Sequence, residues 1–252
     1  MEGSMNPWDN LTGVFHDAKA PHKIPAGSAD TILLVYPPIL DVIDEHFPKA
    51  GGLKALDIGC GAGQFCRTLY KRGFEVTGVD PSEGMIEIAR QQLPASVQVL
   101  HGDIEATPPD CTYDVITAIM VFQFVANIRE LFEHIDRRLK PSGLFLFAVF
   151  NPDFVRNLLK DQILFKEFDS PEQPVEGFME LVAGVRIPVF IRRTDDYQEL
   201  LEPKHYAKIL EDSPPFTHKF LETYPVPFPT DTPEFLILGF RKEMDDLPAQ
   251  EL

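Results

Sequence analysis

Positive charge is what this chain has least of: 23 Lys and Arg stand against 39 Asp and Glu, a net charge of −16 over 252 residues. Nucleic-acid backbones favour Lys/Arg-rich surfaces through counterion release, so an acidic chain without a basic run is a poor partner for RNA or DNA. The pairs Arg137-Arg138 and Arg192-Arg193 are too short to make a basic groove. They read as a solvated helix face and a strand end. Cysteine is also scarce. Cys60, Cys66 and Cys111 form no C-x-x-C pair, and their odd number argues against a disulfide framework, so they read as reduced thiols of a cytoplasmic protein. No H-x-H or H-x-x-x-H spacing exists to supply metal ligands, and no metal is expected. No basic segment followed by an apolar stretch opens the chain, and the longest clean apolar run, residues 144–150, is far too short to span a bilayer. These absences point to a soluble, cytoplasmic protein with neither nucleic-acid nor membrane partners. Met1-Glu2-Gly3-Ser4, ahead of Met5, reads as an expression remnant and is set aside.

What is present concentrates in one run, Ala55-Leu56-Asp57-Ile58-Gly59-Cys60-Gly61-Ala62-Gly63-Gln64-Phe65. It reads as a buried strand ending on a carboxylate and turning through three alternating glycines into a helix. Glycine tolerates positive φ there and lets a ligand approach the backbone closely. A strand, glycine turn and helix form a nucleotide-binding edge in doubly wound sheets. The dinucleotide fingerprint G-x-G-x-x-G fails, because Gln64 stands where its third glycine belongs. The pattern is D-x-G-x-G-x-G, whose leading acid suits an adenosine ligand with a cationic or polyhydroxyl end better than one carrying a pyrophosphate.

Further landmarks follow at regular intervals. Phe74 to Asp80 is a second buried strand ending on an acid, about 20 residues beyond the glycine turn, where such folds hydrogen-bond a ribose diol. A D-x-S-x-x-M-x-x-x-A-R helix follows from Asp80 to Arg90, then a strand over 97–101 leading into Gly102-Asp103-Ile104. Residues 113–122 read as a fourth strand with its exit loop, and Leu139-Lys140-Pro141-Ser142-Gly143 as the turn into a fifth. In this order the landmarks resemble the class I S-adenosylmethionine-dependent methyltransferases, in their ubiquinone-type and natural-product branch, over roughly residues 30–242. Ser142, in place of the first glycine of L-K-P-G-G, is a minor departure.

The resemblance implies an α/β fold: a Rossmann-like, doubly wound, seven-stranded sheet with its last strand antiparallel. Residues 1–252 read as one domain, with an N-terminal arm or lid over 1–50. A small helical cap over 152–184, two amphipathic pieces around a proline-bearing loop, is expected after strand five, where it would roof a substrate pocket or add to the core. Residues 185–192 read as a strand or extended cap segment, and 195–210 as mostly helix, interrupted at Pro203. Residues 216–224 and 234–241 read as strands six and seven.

By the same resemblance the cofactor is S-adenosylmethionine, with S-adenosylhomocysteine as product. Asp57, Gly59, Gly61 and Gly63 would line its methionine end, and Asp80 would take the ribose hydroxyls. Pro81, Ser82 and Met85 would lie near the adenine, Asp103 would accept from the adenine amine, Ile104 would sit against the ring, and Ala118 and Ile119 would meet the methionyl group. On the acceptor side the weak candidates are Gln123, Tyr36, Tyr197 and His205. Gln123 falls where many relatives have a histidine, which weakens any claim for a histidine base. Phe122, Phe124, Phe150 and Asn151 are expected near the strand tips, and His16 in the arm within reach. Trp8 and Phe15 would serve as a lid or a docking strap, and His134 reads as structural.

The expected activity is methyl transfer to an O, N or C atom of a small, apolar or aromatic acceptor by in-line displacement. Two alternatives are a methylase of proteins or peptides, and a binding protein for the same cofactor with a regulatory or scaffolding role and no turnover. A nicotinamide-dependent dehydrogenase is disfavoured by Gln64 and by the lack of a catalytic Tyr-x-x-x-Lys. A calorimetric comparison separates that last class, with S-adenosylmethionine expected to bind and NAD to give no heat of binding. The reverse result would replace the methyltransferase expectation.

Overall fold

The computed structural model describes residues 8–9, 28–159, 163–165, 175–182, 185–226 and 230–244. His16 and Phe15, most of the loop within 152–184 and the acidic C-terminal tail lie outside them. Among the described residues no helix is long and apolar enough to cross a membrane.

A π-helical turn at Thr31–Val35, capped by the Asp30 carboxylate, runs into helix α1 (Tyr36–His46). Strands and helices then alternate: β1 (Lys54–Ile58), α2 (Gln64–Lys71), β2 (Glu75–Asp80), α3 (Glu83–Gln92), β3 (Gln98–His101), β4 (Tyr113–Ile119), α4 (Ile128–Arg138) and β5 (Leu139–Phe150). A short helical turn at Pro152–Phe154 follows, then β6 (Ile163–Phe165), β7 (Val175–Val182) and β8 (Val185–Ile191). The chain ends through α5 (Thr194–Leu201), β9 (Tyr206–Asp212), α6 (His218–Thr223) and β10 (Phe235–Lys242).

Seven strands form one sheet in the order β3-β2-β1-β4-β5-β10-β9. The first five are parallel, while β10 runs antiparallel to both β5 and β9. The α/β doubly wound fold and the antiparallel last strand are therefore as expected. After β3 the chain returns to place β4 on the other side of β1, so the strand order reverses between β1 and β4. Ligands in open α/β sheets bind at such a reversal, beyond the carboxyl ends of the strands.

Period-two alternation fills both faces of the sheet. In β5, Leu144, Leu146 and Ala148 join one core with Phe65 and Leu69 of α2. Phe145, Phe147 and Val149 join the other with Phe132 and Ile135 of α4. In the second core Phe122, Phe132 and Phe147 pack at ring separations of 5.2 Å (Phe122–Phe132) and 5.0 Å (Phe122–Phe147). With both faces covered, the functional opening is left to the strand ends.

Four expectations are corrected. Among the described residues the cap is helical only over 152–159, where the first turn passes into a π-helical stretch; β6, β7 and β8 then form a three-stranded antiparallel sheet. In β7 the buried Gly177 and Met179 alternate with exposed Glu176, Phe178 and Glu180, a strand period that counting apolar residues hides, while β8 is the strand expected over 185–192. Residues 195–210 are helical only as far as Lys204: α5 ends at Leu201 and a 3₁₀ turn at Glu202–Lys204 marks the interruption expected at Pro203. His205 then takes a left-handed φ of 56°, and strand β9 begins at Tyr206 in place of helix, making it the sixth strand of the sheet. Residues 216–224 are not a strand but contain α6, capped by the Thr217 hydroxyl. The aromatic residues Phe216, Phe220 and Tyr224 recur every four positions and stack along that helix.

The fourth correction concerns the arginine pairs, since one member of each is buried. Arg138 donates from Nε to the Thr107 hydroxyl at 2.8 Å. Arg192, immediately after β8, donates to three carbonyls of the loop after β4: Phe122 at 3.0 Å, Val125 at 2.8 Å and Ala126 at 3.0 Å. A buried guanidinium is tolerated only when its donors are matched, and carbonyls in this loop have few other partners available. The cap sheet is thus fastened to the loop that carries Gln123. Replacing Arg192 by Met keeps the stem and removes the donors. The expected loss is about 3 kcal/mol of stability, the scale for stranding buried carbonyls, and denaturant unfolding measures it.

Candidate functional site

A cavity of about 460 Å³ opens at the carboxyl ends of β2, β1, β4 and β5 and the start of β10. Its floor is the glycine turn. Gly59, Gly61 and Gly63 take φ values of 67°, 52° and 82°, the left-handed region that other residues avoid. A Cβ on Gly59 would strike the Val121 side chain, whereas one on Gly61 would meet nothing within 4 Å. Gly61 therefore presents bare backbone to the cavity, and Gly59 admits the wall opposite.

Asp57 and Asp80 project from the ends of adjacent strands. Asp80 accepts from the Gly61 N–H through Oδ2 and from the Ser82 N–H through Oδ1, both at 2.9 Å. Asp57 accepts from the Thr117 hydroxyl at 2.8 Å and from the Cys66 thiol at 3.5 Å. Burial pushes the Asp57 pKa up to about 7, and Thr117 and Cys66 only partly counter it. Burial also raises Asp80, against the hydrogen bonds from Ser82 and Gly61.

The cavity wall also contains Asp30 and Glu234, which no sequence motif marks. Asp30 reads as an ordinary helix cap, and Glu234 as the edge of an apolar strand. The fold brings them together: the Asn151 N–H donates to the Glu234 carbonyl at 2.8 Å, pinning that residue beside the end of β5. Burial and then the Asp30 charge raise the Glu234 pKa to about 8, and burial raises Asp30 as well. Among the described residues no Lys, Arg or His lines the cavity.

Seven of the twelve expected cofactor residues line this cavity. Asp57, Gly59 and Gly61 stand at β1 and its turn, Asp80, Pro81 and Met85 beyond β2, and Ile119 at the end of β4. Gly63 and Ser82 stand just behind the wall. Gly63 caps α2, and the Ser82 hydroxyl caps α3 while donating to the Asp9 carboxylate at 2.6 Å. Ala118 and Ile104 are buried in the core, and Asp103 is exposed at the tip of β3, accepting from the Glu105 N–H.

Of the acceptor-side candidates, Gln123 and Tyr36 line the cavity. Tyr36 packs edge-on against Phe65 at 4.7 Å, and its pKa is raised by burial and then by the Asp57 charge. Tyr197 is instead buried in the aromatic core beneath Phe122, and His205 sits in the turn before β9, so neither reaches the cavity. Phe124 and Phe150 line it, Phe122 is core, and Asn151 caps the turn after β5. Trp8 lines the cavity and packs edge-on against Phe124 at 4.7 Å, with Asp9 docked on Ser82 and Gly84. No described residue of the cap sheet lines the cavity; the sheet acts on it through Arg192.

The titratable groups facing the cavity are Asp30, Tyr36, Asp57, Cys60, Asp80 and Glu234. A carboxyl with a raised folded pKa keeps its proton where the unfolded chain has lost it. The stability this confers is complete below the ordinary carboxylate range and is lost as pH rises through about 7 for Asp57 and about 8 for Glu234. The thermal midpoint of the ligand-free protein is therefore expected to fall between about pH 5 and pH 8. Asp57→Asn and Glu234→Gln should each flatten that slope, measured by calorimetry across the range.

A family model described as a methyltransferase domain matches residues 35–206. The chain is similar to the ubiquinone biosynthesis O-methyltransferase of Rickettsia bellii, 26% identical over 178 residues, which is 69% of this chain and 66% of that protein. It thus spans just under two-thirds of that relative's length. Among solved structures it is similar to an S-adenosylmethionine-dependent methyltransferase from Mesorhizobium loti, with a TM-score of 0.62 at 23% identity over 80% of this chain and 96% of that one. It is also similar to the magnesium protoporphyrin IX methyltransferase of Synechocystis PCC 6803 with bound S-adenosylhomocysteine, with a TM-score of 0.60 at 16% identity over 94% and 93% of the two chains.

Proposed function

The chain belongs to the methyltransferase-domain family, and from that premise we propose that it binds S-adenosylmethionine and transfers its methyl group to a small acceptor with an apolar or aromatic body. The observation that carries this reading is the cavity at the strand-order reversal. Its β1–β2 half combines an open glycine turn with two strand-end carboxylates. Its other half is walled by Phe124, Phe150 and Phe235. The volume lies within the range of small-molecule sites.

The residues fit the cofactor's chemistry. S-adenosylmethionine has a net positive charge, a diol and a flat base, and the cavity offers carboxylates with no competing cation among the described residues. Bound there, the cofactor would supply an electrophilic methyl on a sulfonium. The chain's own task is to position. Asp80, its carboxylate oriented by Gly61 and Ser82, would hold the ribose diol. Asp57, set by Thr117, would face the amino end, and a cationic group there would draw it fully into its ionised form. Pro81 and Met85 would flank the adenine, the Met85 thioether as a soft packing surface. Asp103 would meet the base only where the ring extends past β2 over the tip of β3.

Transfer by displacement needs the attacking atom held near ~3 Å from the methyl and in line with the leaving sulfur, and alignment of that kind supplies much of the rate. Phe124, Phe150 and Phe235 exclude water and hold an apolar body. Gln123 is an amide and cannot take a proton as a general base, so it would orient the acceptor through hydrogen bonds. Trp8, packed on Phe124 and anchored by Asp9, would close the cofactor half from above.

Titration with S-adenosylmethionine and S-adenosylhomocysteine tests the reading. Micromolar binding is expected, with Asp80→Ala weakening it by at least about a hundredfold, as expected for loss of a bidentate charged contact. Folded wild-type protein that binds neither nucleoside would overturn the proposal.

A further inference from the structure

The acceptor half of the cavity is not uniformly apolar, and its described ionisable carboxyls are of one sign. Glu234 stands at the start of β10, three strand spacings across the sheet from β1 and four from β2. At ~4.8 Å per spacing that is roughly 14 Å and 19 Å, well beyond Asp57 and Asp80, the carboxylates that would hold the cofactor. Glu234 and Asp30 are close enough for the Asp30 charge to bear on Glu234. The Asp30 carboxylate accepts only locally, through Oδ1, from the Thr31 N–H at 2.6 Å and the Thr31 hydroxyl at 3.3 Å. The Glu234 carboxylate accepts no hydrogen bond from a described residue.

An independent observation shows that this half is built for a polar guest. Gln123 is 1% exposed and lines the same cavity, yet neither its amide nitrogen nor its amide oxygen has a partner among the described residues. The Ser28 hydroxyl, also in the wall, is buried and unpartnered too. Buried polar groups are nearly always satisfied, and leaving several unmatched in one cavity is costly unless a ligand completes them. The mechanism above uses neither carboxylate. Among the described residues no Lys, Arg or His lines the wall, so none of them supplies the complement that Asp30 and Glu234 lack, and a cationic ligand would.

We propose that the acceptor carries a protonated amine beside its apolar or aromatic body, that Asp30 and Glu234 hold this ammonium, and that Gln123 and Ser28 take the adjoining polar atoms. The inference rests on the methyltransferase reading and narrows it to an acceptor class. An ammonium between the two carboxylates relieves their repulsion and supplies donors to both. An anionic acceptor meets only like charge there. A neutral phenol or alcohol can satisfy one carboxyl but leaves the second unneutralised. Whether the ammonium nitrogen itself is methylated is a separate matter; the assignment concerns recognition.

Two matched trios of probes test it: phenethylamine, 2-phenylethanol and phenylacetate, and the longer 4-phenylbutylamine, 4-phenylbutanol and 4-phenylbutyrate. Each is titrated into the full chain by calorimetry, with and without saturating S-adenosylhomocysteine. At least one amine is expected to bind about tenfold or more tighter than its alcohol, the scale of one charge-assisted hydrogen bond, with the carboxylates weakest. Glu234→Gln should remove the preference. Asp30→Asn, which keeps the helix cap, should reduce it, and both variants should retain wild-type affinity for S-adenosylhomocysteine, which confirms their fold. Equal or better binding of the alcohols or carboxylates, a preference that survives both substitutions, or no binding of either amine would overturn the proposal. Failure of S-adenosylhomocysteine to bind would instead strike the cofactor reading, and the titrations without it would still report the amine preference.

Discussion

The bond from the Gly61 N–H to the Asp80 carboxylate joins the two halves of the site's floor. One partner lies in a turn that only glycine forms easily, the other at the end of the neighbouring strand. The bond holds the turn open against β2 and aims the acid along the carboxyl edge of the sheet. Asp80 then fixes Ser82, and Ser82 both caps α3 and receives the N-terminal arm through Asp9. A single buried carboxylate thereby sets the turn, the next helix and the segment that covers them.

That arrangement has an electrostatic cost. Four carboxylates, Asp30, Asp57, Asp80 and Glu234, face one cavity with no lining cation among the described residues. Burial raises the pKa of each, to about 7 for Asp57 and about 8 for Glu234, so these two meet the cost by retaining protons near neutral pH. A cationic ligand removes that cost by supplying opposite charge. The cavity is in this sense complementary to positive charge at both ends, and the aromatic wall between them selects against water rather than for charge.

The second sheet is placed to control the acceptor half without entering it. Arg192 ties β8 to the Phe122, Val125 and Ala126 carbonyls, so the loop carrying Gln123 and Phe124 is held from behind. On the other side Phe122 is locked into the aromatic core of α4 and β5. Rigid support on both flanks is what an orienting amide requires, because a side chain that only positions its ligand is no better than the backbone beneath it.

The sequence by itself determined the elements whose physics is local. The glycine turn, the acids at the ends of β1 and β2, and the alternation of apolar strands with amphipathic helices all follow from backbone freedom and hydrophobic period, so the parallel sheet and the cofactor half of the cavity were legible in it. Tertiary structure decided what depends on contacts distant along the chain. Residues 163–165 and 175–182 became strands because β6, β7 and β8 complete one another's hydrogen bonds, which no single segment reveals; of the three only β8 was legible in the sequence. Residues 216–224, by contrast, hold a helix on local grounds, the Thr217 cap and the four-residue aromatic spacing, a period that the strand reading overlooks. Arg138 and Arg192 were buried because matched oxygens awaited them 31 residues away for Arg138 and about 70 for Arg192. Above all, Asp30 and Glu234 stand 204 positions apart (234 − 30) and carry no motif. Only the insertion of β10 beside β5, with Asp30 and Thr31 brought to the rim of the same cavity, makes one acidic wall of a helix cap and a strand edge.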